Sequence, residues 1–370
     1  MIGAGPYGVA TAARAIERGI DTVVAGRPMG FWYDNMPRGM FLRSGPDWHL
    51  DAAGVHTFEA FLADRRISAH DVDPVPIGVF LDYAAWFQRE KGIAARTGMV
   101  TSISRSDSGF RVEFDAGDAM EVESVVAATG ISHFQQLPQW AGSIAGDAAV
   151  HTCDRITFDD LGGARVLIVG GRQSAYEWAA LAGEHGAERV DIVHRHEIPQ
   201  FGRVSWKFAD PYVEQTLMTP GWWRNLKPSE QEAISRQFWA AGRLTLEWWL
   251  TPRLAGDRFH RWPHNSVASV ATEPSGALSV LLASGDRLAA DRIIYATGYK
   301  AAVNQLPYLT GVLGELRTAD GFPVLDEAFQ SSIKGLYFPG FTATRDFGPF
   351  FGFTKGCPVA ATLVVDDLCR

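Results

Sequence analysis

Met1-Ile2-Gly3-Ala4-Gly5-Pro6-Tyr7-Gly8 opens the chain, and its three glycines stand at the spacing Gly-x-Gly-x-x-Gly. Val9 to Gly19 continues with small apolar residues at helical spacing, and Asp21 to Ala25 is a short β-rich run. A glycine turn that opens a helix and is followed by a strand has a defined use. Gly3 makes the tight turn, Gly5 lets the backbone approach a pyrophosphate, and Gly8 lets helix and strand pack closely. The helix N-terminus then offers free N–H groups and the positive end of its dipole to the phosphates.

A second stretch repeats the plan. Arg165-Val166-Leu167-Ile168-Val169 is an apolar run suited to a central parallel strand, and Gly170-Gly171-Arg172-Gln173-Ser174-Ala175 leads into Tyr176 to Leu181. Arg172 replaces the second glycine of the motif. It is read either as a direct phosphate contact or as a solvated surface residue. The next strand, Arg189 to Val193, ends in His194-Arg195-His196. This strand end faces the adenosine ribose in such a unit. Arg195 suits a 2′-phosphate and so favours NADPH over NADH, the plainer reading being a surface charge cluster.

Each unit ends alike. Ser124 to Gly130 and Arg292 to Gly298 are apolar strands closing on Ala-Thr-Gly, with Thr129-Gly130 and Thr297-Gly298 where the chain leaves the sheet. Hairpin-like segments, Gly98 to Phe114 and Ser266 to Leu288, precede them. The repeated plan predicts an α/β chain with two Rossmann-like dinucleotide-binding domains.

Composition narrows the function. The 370 residues are 46 % hydrophobic and 21 % charged, an ordinary globular balance for two or three domains. The net charge of −8 removes the basic excess that nucleic-acid binding needs. Cys153, Cys357 and Cys369 contain no Cys-x-x-Cys, which argues against dithiol chemistry and for a reducing, cytoplasmic setting. No apolar run reaches the ~18–20 residues of a membrane helix. No His, Cys or carboxylate grouping has metal-ligand spacing. Seven of the twelve tryptophans (206, 222, 223, 239, 248, 249, 262) fall in one stretch, where they are read as a substrate wall or as a packed helical subdomain.

These residues resemble the two-dinucleotide-binding flavoproteins, and within them the class B flavin monooxygenases, which include flavin-containing monooxygenases and ornithine/lysine N-hydroxylases. Met29-Gly30-Phe31-Trp32 is similar to that group's Gly-Gly-x-Trp segment, and Met36 to Ser44 to its flavin-side loop. Gly335 to Gly340 and Asp346 to Phe353 resemble its last flavin-binding segment. The resemblance implies an FAD domain of residues 1–150 plus 299–370. It implies an inserted NADPH domain, 151–298, carrying a Trp-rich helical insertion at about 200–265. The implied FAD contacts are Gly3, Gly5, Pro6, Gly8, Arg27, Gly30, Trp32, Met36, Val100, Thr129, Gly130, Gly340, Phe347 and Gly348. The implied NADPH contacts are Gly170, Gly171, Arg172, Gln173, Ser174, Arg195, Thr297 and Gly298.

The implied reaction is oxygenation of a small-molecule N, S or C centre by O2 through a C4a-(hydro)peroxyflavin. Arg43, Asp47 and His49 are the implied catalytic residues: Arg43 to stabilise an anion or hold nicotinamide, Asp47 or His49 to relay a proton. Rival readings are an NADPH-dependent reductase or oxidase without oxygen insertion, and a non-catalytic nucleotide-binding protein. Two departures from the pattern stand out. Val23 to Pro28 lacks the usual acidic FAD-ribose ligand. Only two residues precede Gly3, where a first strand of about five is expected, which suggests a start farther upstream.

Overall fold

The computed structural model describes residues 1–144 and 146–370. Two parallel sheets organise it. The first places Ala95–Arg96, Val24–Ala25, Ile2, Val125–Val126 and Leu336–Tyr337 side by side, all parallel. Its central position is held by Ile2 alone. Ile2 N–H donates to Val126 O, its carbonyl accepts from Ala128 N, and Ala25 N donates to Met1 O, each at 2.8 Å. Ile2 is thus tied to a strand on each side. Successive segments are laid down on one side of Ile2, at 24–25 and 95–96, and then on the other, at 125–127 and 336–337, and such a reversal is the switch point where a doubly wound sheet binds ligands.

The second sheet runs Phe259–Trp262, Arg189–Val193, Arg165–Val169, Arg292–Tyr295 and Ala149–His151, again all parallel. Val166, Leu167 and Ile168 are buried in it, as a strand covered on both faces requires. Each unit carries a three-stranded antiparallel meander: Val100–Ser106, Gly109–Phe114 and Ala119–Val122 in the first, Val267–Thr272, Leu278–Leu282 and Arg287–Ala290 in the second. The chain leaves the first sheet after Val126, builds the second, and returns at Leu336. The structure thus has the two-unit α/β architecture with one unit set inside the other.

Helix Pro6–Glu17 is rich in alanine, and Ala10, Ala12, Ala13 and Ala15 are buried. Small side chains let it pack closely against the C-terminal helix Cys357–Leu368. The Trp-rich stretch is helical in part, over Asp210–Met218 and Pro228–Trp239. Its tryptophans mostly pack cores. Trp206, Trp222 and Trp223 join the aromatic cluster of Phe350 and Phe351, and Trp249 joins the core of the second unit. Among the described residues, Trp206 is the one of the seven that lines the central cavity.

Candidate active site

A cavity of about 750 Å3 lies where the two units meet, a size ordinary for ligand and cofactor sites. Gly3, Gly5 and Pro6 line it from one unit, and Arg172, Gln173 and Ser174 from the other. The two glycine turns are built alike. Gly3 has φ +100°, and a Cβ there would stand 2.3 Å from Ala128 O. Gly170 has φ +139°, and a Cβ there would stand 2.4 Å from Ala296 O. Each turn is thus pressed on the alanine of an Ala-Thr-Gly strand end, which explains why the two motifs recur together. Helices Pro6–Glu17 and Gln173–Glu184 begin at these turns with no side-chain cap, so their first N–H groups are left for a ligand. Backbone that admits no side chain, followed by an uncapped helix end, suits a pyrophosphate in both units.

Other expected contacts gather around the same space. Gly30, Trp32, Met36, Val100, Thr129, Gly130 and Gly340 line the cavity. Trp32 packs on Phe80 with ring centroids 4.6 Å apart. Thr129 Oγ1 lies 3.1 Å from Tyr308 OH. Gly340, at φ +90°, lies against the ring of Tyr7, where a Cβ would come within 3.0 Å. Tyr7 OH sits 2.7 Å from Phe351 O and 2.8 Å from Phe353 O, so the first turn is tied to the C-terminal segment. Arg27 is ion-paired with Asp34, which also lines the cavity. Asp34 closes the short helix Gly30–Asp34.

Arg43 lines the cavity, and its guanidinium is engaged. Nε donates to Glu247 Oε1 at 2.9 Å, Nη2 to Thr245 O at 2.9 Å, and Nη1 to Gly242 O. Glu247 is buried, and its N–H donates to Gln173 Oε1 at 3.1 Å. Gln173 Nε2 donates to Glu177 Oε2 at 3.0 Å, and Glu177 pairs with Arg253 at 2.5 Å and accepts from Trp249 Nε1 at 3.2 Å. Burial raises the pKa of both carboxyls, while Arg43 and Arg253 work to lower them. The chain Arg43–Glu247–Gln173–Glu177–Arg253 therefore couples the loop after Met40 to the second unit's first helix. Its acidic members carry no sequence signature, because each is defined by a partner 70 or more residues away.

Several expected contacts lie elsewhere. Gly8 is beneath the turn: a Cβ there would stand 1.9 Å from Gly3 O, so its role is helix packing. Gly170 and Gly171 do not line the cavity. Gly171 faces the rings of His194 and His196, with 2.5 Å from a Cβ to His194 Cβ. Arg195 is exposed beyond the second sheet. Thr297 Oγ1 donates to Gln136 O, and Gly298 O faces His151 Nε2 at 3.2 Å. Phe347 is a core residue stacked 3.7 Å on Phe329, and Gly348 is packed against Phe350. Asp47 is exposed and outside the cavity lining, so it is poorly placed to relay a proton there. His49 also lies outside it. Burial lowers its pKa, and its Nδ1 is buried without a hydrogen-bond partner among the described residues.

The comparisons with known proteins agree with this architecture. The chain is 26 % identical over 136 residues to an FAD-dependent urate hydroxylase of Xanthomonas campestris pv. campestris, a match covering 35 % of this chain and 29 % of that protein. It is 25 % identical over 212 residues to indole-3-pyruvate monooxygenase YUCCA1 of Oryza sativa subsp. japonica, covering 54 % of this chain and 49 % of that one. The matches thus span between under a third and about half the length of these curated relatives. The ornithine N-hydroxylase of Kutzneria sp. 744 superposes with a TM-score of 0.81 at 15 % identity, over 100 % of this chain and 98 % of that one. At that identity the likeness establishes the fold. The family model for pyridine nucleotide-disulphide oxidoreductases matches residues 1–220. With both glycine turns inside that span, the chain belongs to the pyridine nucleotide-disulphide oxidoreductase family.

Proposed function

We propose that the chain is an FAD-dependent, NADPH-consuming monooxygenase that places one oxygen atom of O2 on an N, S or C centre of a small molecule. The observation that carries this reading is the shared cavity: residues of both glycine turns line one space, and no cysteine is among its described lining residues. A shared space suits direct hydride transfer between two dinucleotides. A lining without thiols disfavours the disulphide chemistry after which the family is called.

The chemistry supplied by the bound cofactors is hydride transfer from NADPH to FAD and reduction of O2. The residues of this chain bind and orient. Residues 1–150 with 299–370 hold FAD through Gly3, Gly5, Pro6, Arg27, Asp34, Thr129 and Gly340. Residues 151–298 hold NADPH through Arg172, Gln173 and Ser174 of the second turn. Arg43 acts as a positioning residue, because its three bonds join the units at the cavity wall. The apolar lining excludes water, which favours oxygen transfer over release of hydrogen peroxide. A cytoplasmic location belongs to the same reading, since NADPH is a cytoplasmic reductant. The test is an 18O2 incubation of FAD-loaded protein with NADPH and candidate small molecules. One 18O atom in a product supports the reading. Stoichiometric peroxide with every candidate favours the oxidase.

A further inference from the structure

The second glycine turn departs from its motif at Arg172. Gly170 is pressed on Ala296 and Gly171 on the rings of His194 and His196, so neither position admits a side chain. Position 172 is different. Its backbone is extended, at φ −112° and ψ −172°, a conformation open to any residue. The Arg172 side chain makes no cap for the helix Gln173–Glu184 that follows, and Arg172 lines the cavity.

The guanidinium of Arg172 is stacked on an aromatic ring. Its Cζ lies 3.6 Å from the ring centre of Trp239, against 5.1 Å for Arg43 over Trp206. Trp239 ends helix Pro228–Trp239 in the Trp-rich stretch, shortly before Gly242 of the cavity lining. It is 38 % exposed. Among the described residues it joins no buried cluster and does not line the cavity, so its ring acts on a bound molecule through Arg172. A guanidinium lying flat on a ring keeps its N–H donors in its own plane, and stacking fixes the tilt of that plane. Such a planar fork matches phosphate oxygens. The carboxylates that line the cavity, Asp34 and Glu177, pair with Arg27 and Arg253, so they are neutralised against a bound anion.

We propose that Arg172 is a phosphate ligand of the dinucleotide coenzyme and that Trp239 is the positioning residue that holds its guanidinium for that contact. This assignment rests on the reading of the second glycine turn as the NADPH site, and it gives the Trp-rich stretch a part in coenzyme binding. The experiment is isothermal titration of FAD-loaded protein with NADP+, which binds without reducing the flavin. It compares the native protein, Arg172→Gln, Trp239→Leu, Trp239→Phe and the double variant carrying Arg172→Gln and Trp239→Leu. Arg172→Gln is expected to raise Kd at least about tenfold, the size of a charge-assisted hydrogen bond. Trp239→Leu is expected to raise it about two- to fivefold, the size of an exposed cation–π contact, and Trp239→Phe, which keeps a ring face, stays nearer the native value. In the double variant the loss equals that of Arg172→Gln alone, because Trp239 acts through Arg172. FAD content stays native in all four variants. An unchanged Kd in Arg172→Gln overturns the phosphate contact. A loss from Trp239→Leu that persists without Arg172 overturns the positioning role, since a merely structural residue behaves that way. A native protein that binds no NADP+ defeats the coenzyme reading and the assignment with it, whereas native binding left intact by Arg172→Gln defeats the assignment alone.

Discussion

Replacing Gly8 by alanine sets two physical effects against each other. Gly8 lies within helix Pro6–Glu17, where alanine is the better helix former by about 1 kcal/mol. Its surroundings reverse that sign. A Cβ at residue 8 would stand 1.9 Å from Gly3 O and 3.0 Å from Gly3 C, and real Cβ contacts essentially never fall under 3.0 Å. Gly3 O has no room to yield, because the Gly3 turn is itself seated on Ala128. The helix must retreat, and overpacking of this kind costs about 1–3 kcal/mol. It also pulls the turn away from the position that suits a pyrophosphate. Gly8→Ala is therefore expected to lower the Tm of the cofactor-free protein by a few degrees and to lower the FAD retained on purification. Gly5→Ala is the contrast. A Cβ at Gly5 meets no atom within 4 Å, yet Gly5 lines the cavity. That variant should keep its Tm and still lose FAD. Thermal unfolding and the flavin-to-protein absorbance ratio read both. A Gly8→Ala protein with a raised Tm and full FAD content would refute the reasoning, since propensity alone would then govern the site.

Other perturbations have equally definite outcomes. Arg43→Met strands the buried Glu247, at a cost of about 3 kcal/mol at neutral pH. Because burial already raises the Glu247 pKa above 4.5 and Arg43 opposes it, the variant's deficit should shrink as pH falls toward 4.5, which urea unfolding at several pH values would detect. His194 is held neutral by burial and by His196, His264 and Arg261, with its pKa lowered to about 4 while Tyr176 OH lies 3.1 Å from Nε2. Its stabilising contribution is complete above the ordinary value of 6.5 and is lost as pH falls from 6.5 through 4. His194→Gln should therefore flatten the stability profile in that window by up to about 3 kcal/mol. Tyr7→Phe removes the hydroxyl tie to Phe351 and Phe353, and about 1–3 kcal/mol of stability with it, measurable as a lower Tm and weaker FAD retention.

What was legible in the sequence was local. Gly3 to Gly8 and the run from Val166 to Ala175 state a strand, a turn and a helix within a few residues of one another, and the two Ala-Thr-Gly endings mark where those turns are seated. The remainder depends on partners distant in the chain. Asp34 meets Arg27 only because the short helix after Met29 folds back. Glu177 and Glu247 are ordinary acids until Arg253 and Arg43 reach them. Asp47 and His49 lie close in sequence to the loop after Met36, but that loop presents Arg43 and Trp48 to the cavity and leaves them outside. Trp206 faces the cavity whereas Trp222 and Trp223 fill a core, a difference that no local pattern states.

The most direct test of the central claim is anaerobic mixing of FAD-loaded protein with NADPH, followed through the flavin absorption band. If the two glycine turns bring both dinucleotides into one cavity, the band bleaches on addition of NADPH and returns when O2 is admitted. A flavin that stays oxidised under saturating NADPH would contradict the account.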